Sequence, residues 1–291
     1  MRKVLLASTA LFALGSVSAM AADITISGSS ELVLDMGDSA TADQSEFVTE
    51  HDIAISFSNT SDSGISTSMT YGMDDADAEA DDMTVSISGD FGSFSYTGGN
   101  DDHALTAVDN EASGTAEERT ATHAGYTGDL AGIGDKHVTF KLPSIVDGLG
   151  IAASVGNNSS GEAASYALTY DMGMLALVYG EVRGHTQVDT HVGVTVNMGD
   201  AKLMLAQNSN DAATKDNSAT LIGVTYKVSP ELTVGLEQDK TEDGTTANDY
   251  SMTAIGATYT IAPGLSASFT SAEMDASADS NYTSIGLHVA F

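Results

Sequence analysis

Cysteine and tryptophan are absent from this sequence, proline occurs three times, and only ten of the 291 residues are Lys or Arg. Without cysteine there is no disulfide and no thiolate to act as nucleophile or metal ligand. The ten bases stand against 41 acids, giving a formal net charge of −31, which excludes the basic footprint that nucleic acid demands. After the N-terminal segment no run of 18 apolar residues occurs, so the chain has no membrane-spanning helix. An exported chain of this size without disulfides must rely on an extensive sheet, a core or a membrane.

The chain opens MRKVLLASTALFALGSVSAMAADITISG. Arg2 and Lys3 form a basic head, Val4 to Val17 a short apolar stretch, and Ala19-Met20-Ala21 a small-x-small cleavage site. Residues 1–21 therefore read as a cleaved secretory signal peptide, with 22–291 as one mature domain. Removing them leaves eight bases against 41 acids, a net charge of −33.

What is abundant is alternation. DITISGSSELVLDM sets Ile24, Ile26, Leu32, Leu34 and Met36 against Asp23, Thr25, Ser27, Ser29, Glu31 and Asp35. FVTEHDIAISFS, TQVDTHVGVTVNMG and TLIGVTYKVS repeat the pattern, and so does the terminal NYTSIGLHVAF, with Thr283, Ile285, Leu287, Val289 and Phe291 on one parity. Period-two segments of this kind are strands with one apolar and one polar face. Short connections (59–64, 89–92, 143–148, 171–173, 199–200, 229–230, 262–264) alternate with long polar ones (37–45, 74–82, 99–135, 207–217, 240–248, 272–280). The arrangement predicts sixteen strands in a closed all-β transmembrane barrel, tight turns at one end and loops at the other. A calcium-binding β-helix would show a fixed repeat, which is missing. A soluble sandwich would guard its last strand with charge or proline rather than finish it on Phe.

Three stretches resemble a known family. VSISGDFGSFSYTGG (85–99) is similar to a strand–turn–strand of Gram-negative general porins, ISFSNTSDSGISTSMTYGM (55–73) resembles another of their hairpins, especially in the alphaproteobacterial type, and SIGLHVAF resembles their closing strand. The resemblance implies a homotrimer of sixteen-stranded barrels in the outer membrane. Each would be a water-filled channel for passive diffusion of small hydrophilic solutes, with the third loop folded into the pore and the last strand (281–291) closing on the first (23–36). It also implies that Phe291 is the signal read by the barrel-assembly machinery, and that outer-membrane lipid and lipopolysaccharide surround the barrel.

On that reading the third loop, 99–135, is the constriction, carrying Asp101, Asp102, Asp109, Glu111, Glu117, Glu118 and Arg119. General porins face such a loop with arginines from early strands, yet between Lys3 and Arg119 this chain has no base. Cation selectivity is the resulting expectation. Parity turns Lys141, Lys202 and Lys227 inward at the periplasmic mouth as a basic cluster. It also turns inward His137, His191 and His288, of the one side-chain type whose charge can serve as a pH switch. The loop DDADAEADD places Asp75, Asp77, Glu79 and Asp81 at alternate positions. It lacks the glycine and terminal glutamate of an EF-hand, so the expectation is no required cofactor and at most a weak Ca²⁺ or Mg²⁺ site.

No nucleophile elbow, P-loop or dinucleotide fingerprint occurs, and the histidines show no metal-ligand spacing, so the chain is not read as an enzyme. Two other readings share the barrel: a solute-specific channel, which calls for ordered aromatic or basic tracks, and a non-conducting acidic structural or adhesive barrel.

Overall fold

The computed structural model describes residues 23–39, 42–73, 82–98, 104, 133, 136–158, 161–184, 187–212, 215–242, 249–275 and 281–291. The signal segment, 74–81 and all of the third loop except Ala104 and Ile133 lie outside the described residues.

The alternating segments form sixteen antiparallel strands. They are β1 (Asp23–Ser39), β2 (Ala42–Thr60), β3 (Ser66–Met73), β4 (Asp82–Gly89), β5 (Gly92–Gly98), β6 (Lys136–Lys141), β7 (Leu149–Asn158) and β8 (Gly161–Asp171), then β9 (Leu175–Arg183), β10 (Gln187–Met198), β11 (Ala201–Ala212), β12 (Lys215–Lys227), β13 (Leu232–Glu242), β14 (Tyr250–Ala262), β15 (Leu265–Asp275) and β16 (Asn281–Ala290). Each pairs with its sequence neighbours, and β1 pairs with β16, from Ser29 opposite Ala290 to Asp38 opposite Asn281. The sheet closes into a barrel and leaves no edge, as a backbone surrounded by hydrocarbon requires. At the seam the Gly28 and Phe291 amides each donate to the other's carbonyl at 3.0 Å. A Cβ on Gly28 would sit 2.7 Å from Phe291 Cζ, so glycine is what lets the terminal ring lie against β1.

The burial pattern is that of a globular protein turned inside out. Ile24 and Ile26 are each 63% exposed, Leu236 52% and Ile285 50%, while Ser165, Asp189 and Thr270 are fully buried. Apolar side chains on the outer parity face hydrocarbon and polar ones face the interior, the division expected of a membrane barrel. At the end where β1 begins and β16 finishes, Phe57, Phe94, Phe140, Tyr170, Tyr226 and Tyr259 stand on the outer parity, an aromatic girdle at one lipid–water boundary.

The long polar connections are shorter than the sequence indicates. β1 and β2 leave only residues 40–41 between them, β11 and β12 only 213–214, and β15 runs on to Asp275. Apolar alternation marks just the part of a strand that meets lipid. The ladder of backbone hydrogen bonds continues beyond it into water, where Ser, Thr, Asn and Asp satisfy either face.

Candidate functional site

The interior wall is the site, and its chemistry changes around the barrel. On β1 and β2 the inward parity carries Glu31, Asp35, Glu50 and Asp52, with Glu31 directly opposite Glu50. Ser29 Oγ donates to Asp52 Oδ2 at 3.0 Å. Across the seam Glu31 also stands opposite His288, whose Nδ1 lies 2.9 Å from Glu31 Oε1. His288 Nε2 is 2.8 Å from Ser268 Oγ. A carboxylate on Nδ1 and a hydroxyl on Nε2 fix the ring on both sides.

The β6–β9 wall is different. Thr139 Oγ1 and Ser154 Oγ are 2.6 Å apart, and Ser154 Oγ accepts the Ala104 amide at 2.9 Å. Ala104 and Ile133 both pack inside the barrel on a patch made by Ala163, Ala167, Val178 and Val182, and Ile133 is fully buried. A Cβ on Gly156 would overlap the Ile133 carbonyl oxygen and lie 3.0 Å from His137 Cβ, so Gly156 is the notch that admits Ile133. Two points of the 99–135 segment are thereby fixed to the inner wall. The carboxylates expected to form the constriction, Asp101, Asp102, Asp109, Glu111, Glu117 and Glu118, and with them Arg119, lie outside the described residues, as do Asp75, Asp77, Glu79 and Asp81.

A third stretch runs from β10 to β13. His191 Nδ1 meets Asn208 Oδ1 on β11 at 2.5 Å, and Asp189 is buried one step along the same face. On β13 the inward face carries Glu237, Asp239 and Thr241 in succession, all buried. Their neighbours are apolar: Ala219 and Leu221 on β12, Met252 and Ala254 on β14. Sequence reasoning passed over this carboxylate pair, although LTVGLEQDKTE places Glu237 and Asp239 two apart on the parity opposite Leu236. Among the described residues no three His, Asp or Glu side chains converge as a metal site.

The remaining inward groups fall where parity puts them. His137 and His191 are buried on the inner face and His288 lies at the seam. Lys141 closes β6 opposite Ser93, Lys202 opens β11 opposite Thr225, and Lys227 closes β12 opposite Thr233. All three are at the end where β1 begins and β16 finishes. Lys202 and Lys227 are on adjacent strands, whereas Lys141 is five strands from Lys202, so two lysines stand together and the third apart.

This chain, a closed sixteen-strand barrel with a polar, strongly acidic inner wall against which Ala104 and Ile133 pack, matches one family model, that of Gram-negative porins, over residues 7–279. The chain belongs to that family. Solved structures agree on the fold of this porin. An anion-selective porin from Comamonas acidovorans superposes with a TM-score of 0.72 at 13% identity, covering 93% of this chain and 100% of that one. A porin variant of Rhodobacter blastica gives 0.71 at 15%, covering 92% and 100%. The outer-membrane protein OmpT of Vibrio cholerae, in a trimer form, gives 0.69 at 16%, covering 94% and 100%. No match was found among curated protein sequences.

Proposed function

We propose that this porin is a homotrimer in the outer membrane, each barrel a passive, cation-preferring channel for small hydrophilic solutes. One observation carries the selectivity: the β1–β2 wall presents Glu31, Asp35, Glu50 and Asp52 to the lumen, and no Lys or Arg occurs anywhere on β1–β5. Fixed carboxylates along a low-dielectric wall lower the energy of a cation in the lumen and raise that of an anion. Among the described side chains the inward lysines, Lys141, Lys202 and Lys227, stand at the mouth where β1 begins, away from the β1–β2 carboxylates higher on the wall. The likeness to an anion-selective porin concerns the fold, since selectivity is set by lining residues that 13% identity does not carry over. The trimer is supported by the Vibrio relative in its trimer form. Phe291 at the seam fits a terminal signal for the assembly machinery. The third-loop carboxylates would add to the same field, and Asp75, Asp77, Glu79 and Asp81 would bind Ca²⁺ or Mg²⁺ only weakly, with no cofactor required for conduction.

The test is a planar bilayer holding the refolded mature protein across a KCl gradient. Conductance steps in groups of three and a reversal potential on the K⁺ side support the reading. A potential on the Cl⁻ side removes the cation preference, and a folded, inserted barrel without steps removes the channel.

A further inference from the structure

Three inward side chains meet at the barrel seam, each from a different strand: Ser268 on β15, His288 on β16 and Glu31 on β1. Ser268 Oγ lies 2.8 Å from His288 Nε2, and His288 Nδ1 lies 2.9 Å from Glu31 Oε1. A hydroxyl, an imidazole and a carboxylate in that order are the parts of an acyl-transfer site, which is recognised by geometry rather than by a sequence motif. No local motif announces them, because only closure of the barrel brings β1 to β16.

The seam register supplies the surroundings. Ser268 stands opposite Gly286, and Gly286 opposite Val33, so the Ser268–His288 contact lies over a residue without a side chain. A Cβ on Gly286 would sit 2.5 Å from Ser268 Oγ and 2.7 Å from His288 Nε2, so any other residue would drive the pair apart. One inward step along, Thr270 stands opposite Ser284, about 6.8 Å from the Ser268 row at two residues' rise. Both are buried, and among the described residues neither Thr270 Oγ1 nor Ser284 Oγ has a hydrogen-bond partner. Buried hydroxyls are nearly always bonded, so two unmet donors side by side point to an oxygen that binds between them. The other edge of the cluster is open to the lumen, with the His288 and Glu31 side chains 21% and 37% exposed.

We infer that this cluster hydrolyses small esters that enter the lumen, with Ser268 as nucleophile, His288 as base and Glu31 holding the imidazole. Ser268 Oγ adds to the ester carbonyl carbon as its proton passes to His288 Nε2, while the proton on Nδ1 stays in the hydrogen bond to Glu31. The carbonyl electron pair moves onto oxygen, which accepts from the Thr270 and Ser284 hydroxyls. The pair then returns, the bond to the alcohol oxygen breaks, and His288 passes its proton to the departing alkoxide. Water adds to the acylated Ser268 with His288 again taking and returning the proton. The carboxylic acid leaves, the serine is restored, and only ester and water are consumed. Val33 beside Gly286 gives a short acyl chain an apolar wall, and the carboxylates of Glu31, Glu50 and Asp52 disfavour an anionic substrate.

The full mature barrel, refolded in detergent, is treated with diisopropyl fluorophosphate and mapped by peptide mass spectrometry. Hydrolysis of p-nitrophenyl acetate is followed on the same samples. The expected result is one phosphoryl label per subunit, on Ser268, and ester turnover that the reagent abolishes. Ser268→Ala loses both, and His288→Gln and Gly286→Ala slow both by about a hundredfold or more. Ser56→Ala, on the inner face of β2, keeps both. The folded band of each variant on unheated SDS gels shows that its barrel is intact. No label on Ser268, equal labelling of other serines, a label without turnover, or turnover unchanged in Ser268→Ala overturns the inference. Conductance of the same samples keeps the channel reading separate: a conducting barrel that neither labels nor turns over sinks the hydrolase alone.

Discussion

Gly156→Ala tests whether the third segment is held in the lumen by the contacts seen at its two ends. The new Cβ would point inward from β7 onto the Ile133 carbonyl oxygen, with His137 Cβ at 3.0 Å and the Ile133 carbonyl carbon at 3.2 Å. These are backbone atoms or atoms next to backbone, so they cannot yield by a rotamer change. Ile133 must move, and it is fully buried against Ala163, Ala167, Val178 and Val182. Losing the burial of an isoleucine side chain costs about 1.5–3 kcal/mol. At about 1.4 kcal/mol per factor of ten, the ratio of seated to unseated Ile133 falls by about 10- to 150-fold. The barrel ladder is untouched, and alanine in a strand interior is favoured over glycine by roughly 0.5–1 kcal/mol. Single-channel recording should therefore show altered mean conductance and added open-channel noise, while the folded band on unheated SDS gels stays as in the parent. Ile133→Ala, which keeps Gly156 and removes the buried side chain, should give the same trace. Parent-like conductance and noise in both variants, with both folded, would falsify the view that Ile133 anchors the segment.

Three more outcomes follow from the wall. Replacing Glu31, Glu50 and Asp52 by Gln, Gln and Asn should move the reversal potential toward zero, whereas Lys202→Gln/Lys227→Gln should move it further toward K⁺; identical potentials in all three proteins would place selectivity elsewhere. Asp239→Asn takes one of two carboxyl groups off the buried β13 face between Leu221 and Met252, and should raise the urea midpoint, with a gain on the order of 1 kcal/mol in unfolding free energy. A lower midpoint would mean that the carboxylate is matched by a cation in the lumen. Deleting Phe291 removes both of its 3.0 Å seam bonds to Gly28, about 0.5–1.5 kcal/mol each, so folding into detergent should weaken slightly while insertion in cells falls steeply. Equal, small effects in the two settings would leave Phe291 as a seam residue and no signal.

Parity made most of the barrel legible. A strand has two faces and a period of two, so a single exposed apolar row fixes the orientation of every residue on it. Ile285, Leu287 and Val289 outward, with Ser284 and Gly286 inward, followed from the last eleven residues alone, as did the inward direction of Lys141, Lys202 and Lys227. Contacts between strands distant in sequence were not legible. Glu31 meeting His288 depends on a seam register that joins residues 257 positions apart, and nothing local to β1 or β16 encodes it. The pinning of Ala104 and Ile133 was hidden for a similar reason: small apolar residues in a polar stretch look unremarkable until a notch such as Gly156 is found opposite. Strand ends were misjudged because apolar alternation reports the thickness of lipid, whereas the hydrogen-bonded ladder outlasts it.

The same parity explains how one thin wall holds two unrelated charge patterns. Successive residues on a strand face different solvents, so selection at the lumen leaves the lipid face free to change, and the reverse. Lys136 and Lys141, the two ends of the six-residue β6, show the consequence most compactly. An odd spacing of five sends one outward at the loop end and the other inward at the opposite mouth. A shift of either by one position would exchange its face, putting a cation against acyl chains or removing one from the mouth. Lys136→Gln should therefore leave the reversal potential unchanged, and Lys141→Gln should shift it. If Lys136→Gln moved the potential as far as Lys141→Gln does, the two faces of β6 would be coupled through the strand, and the independence of lumen and lipid surface would fail at its simplest case.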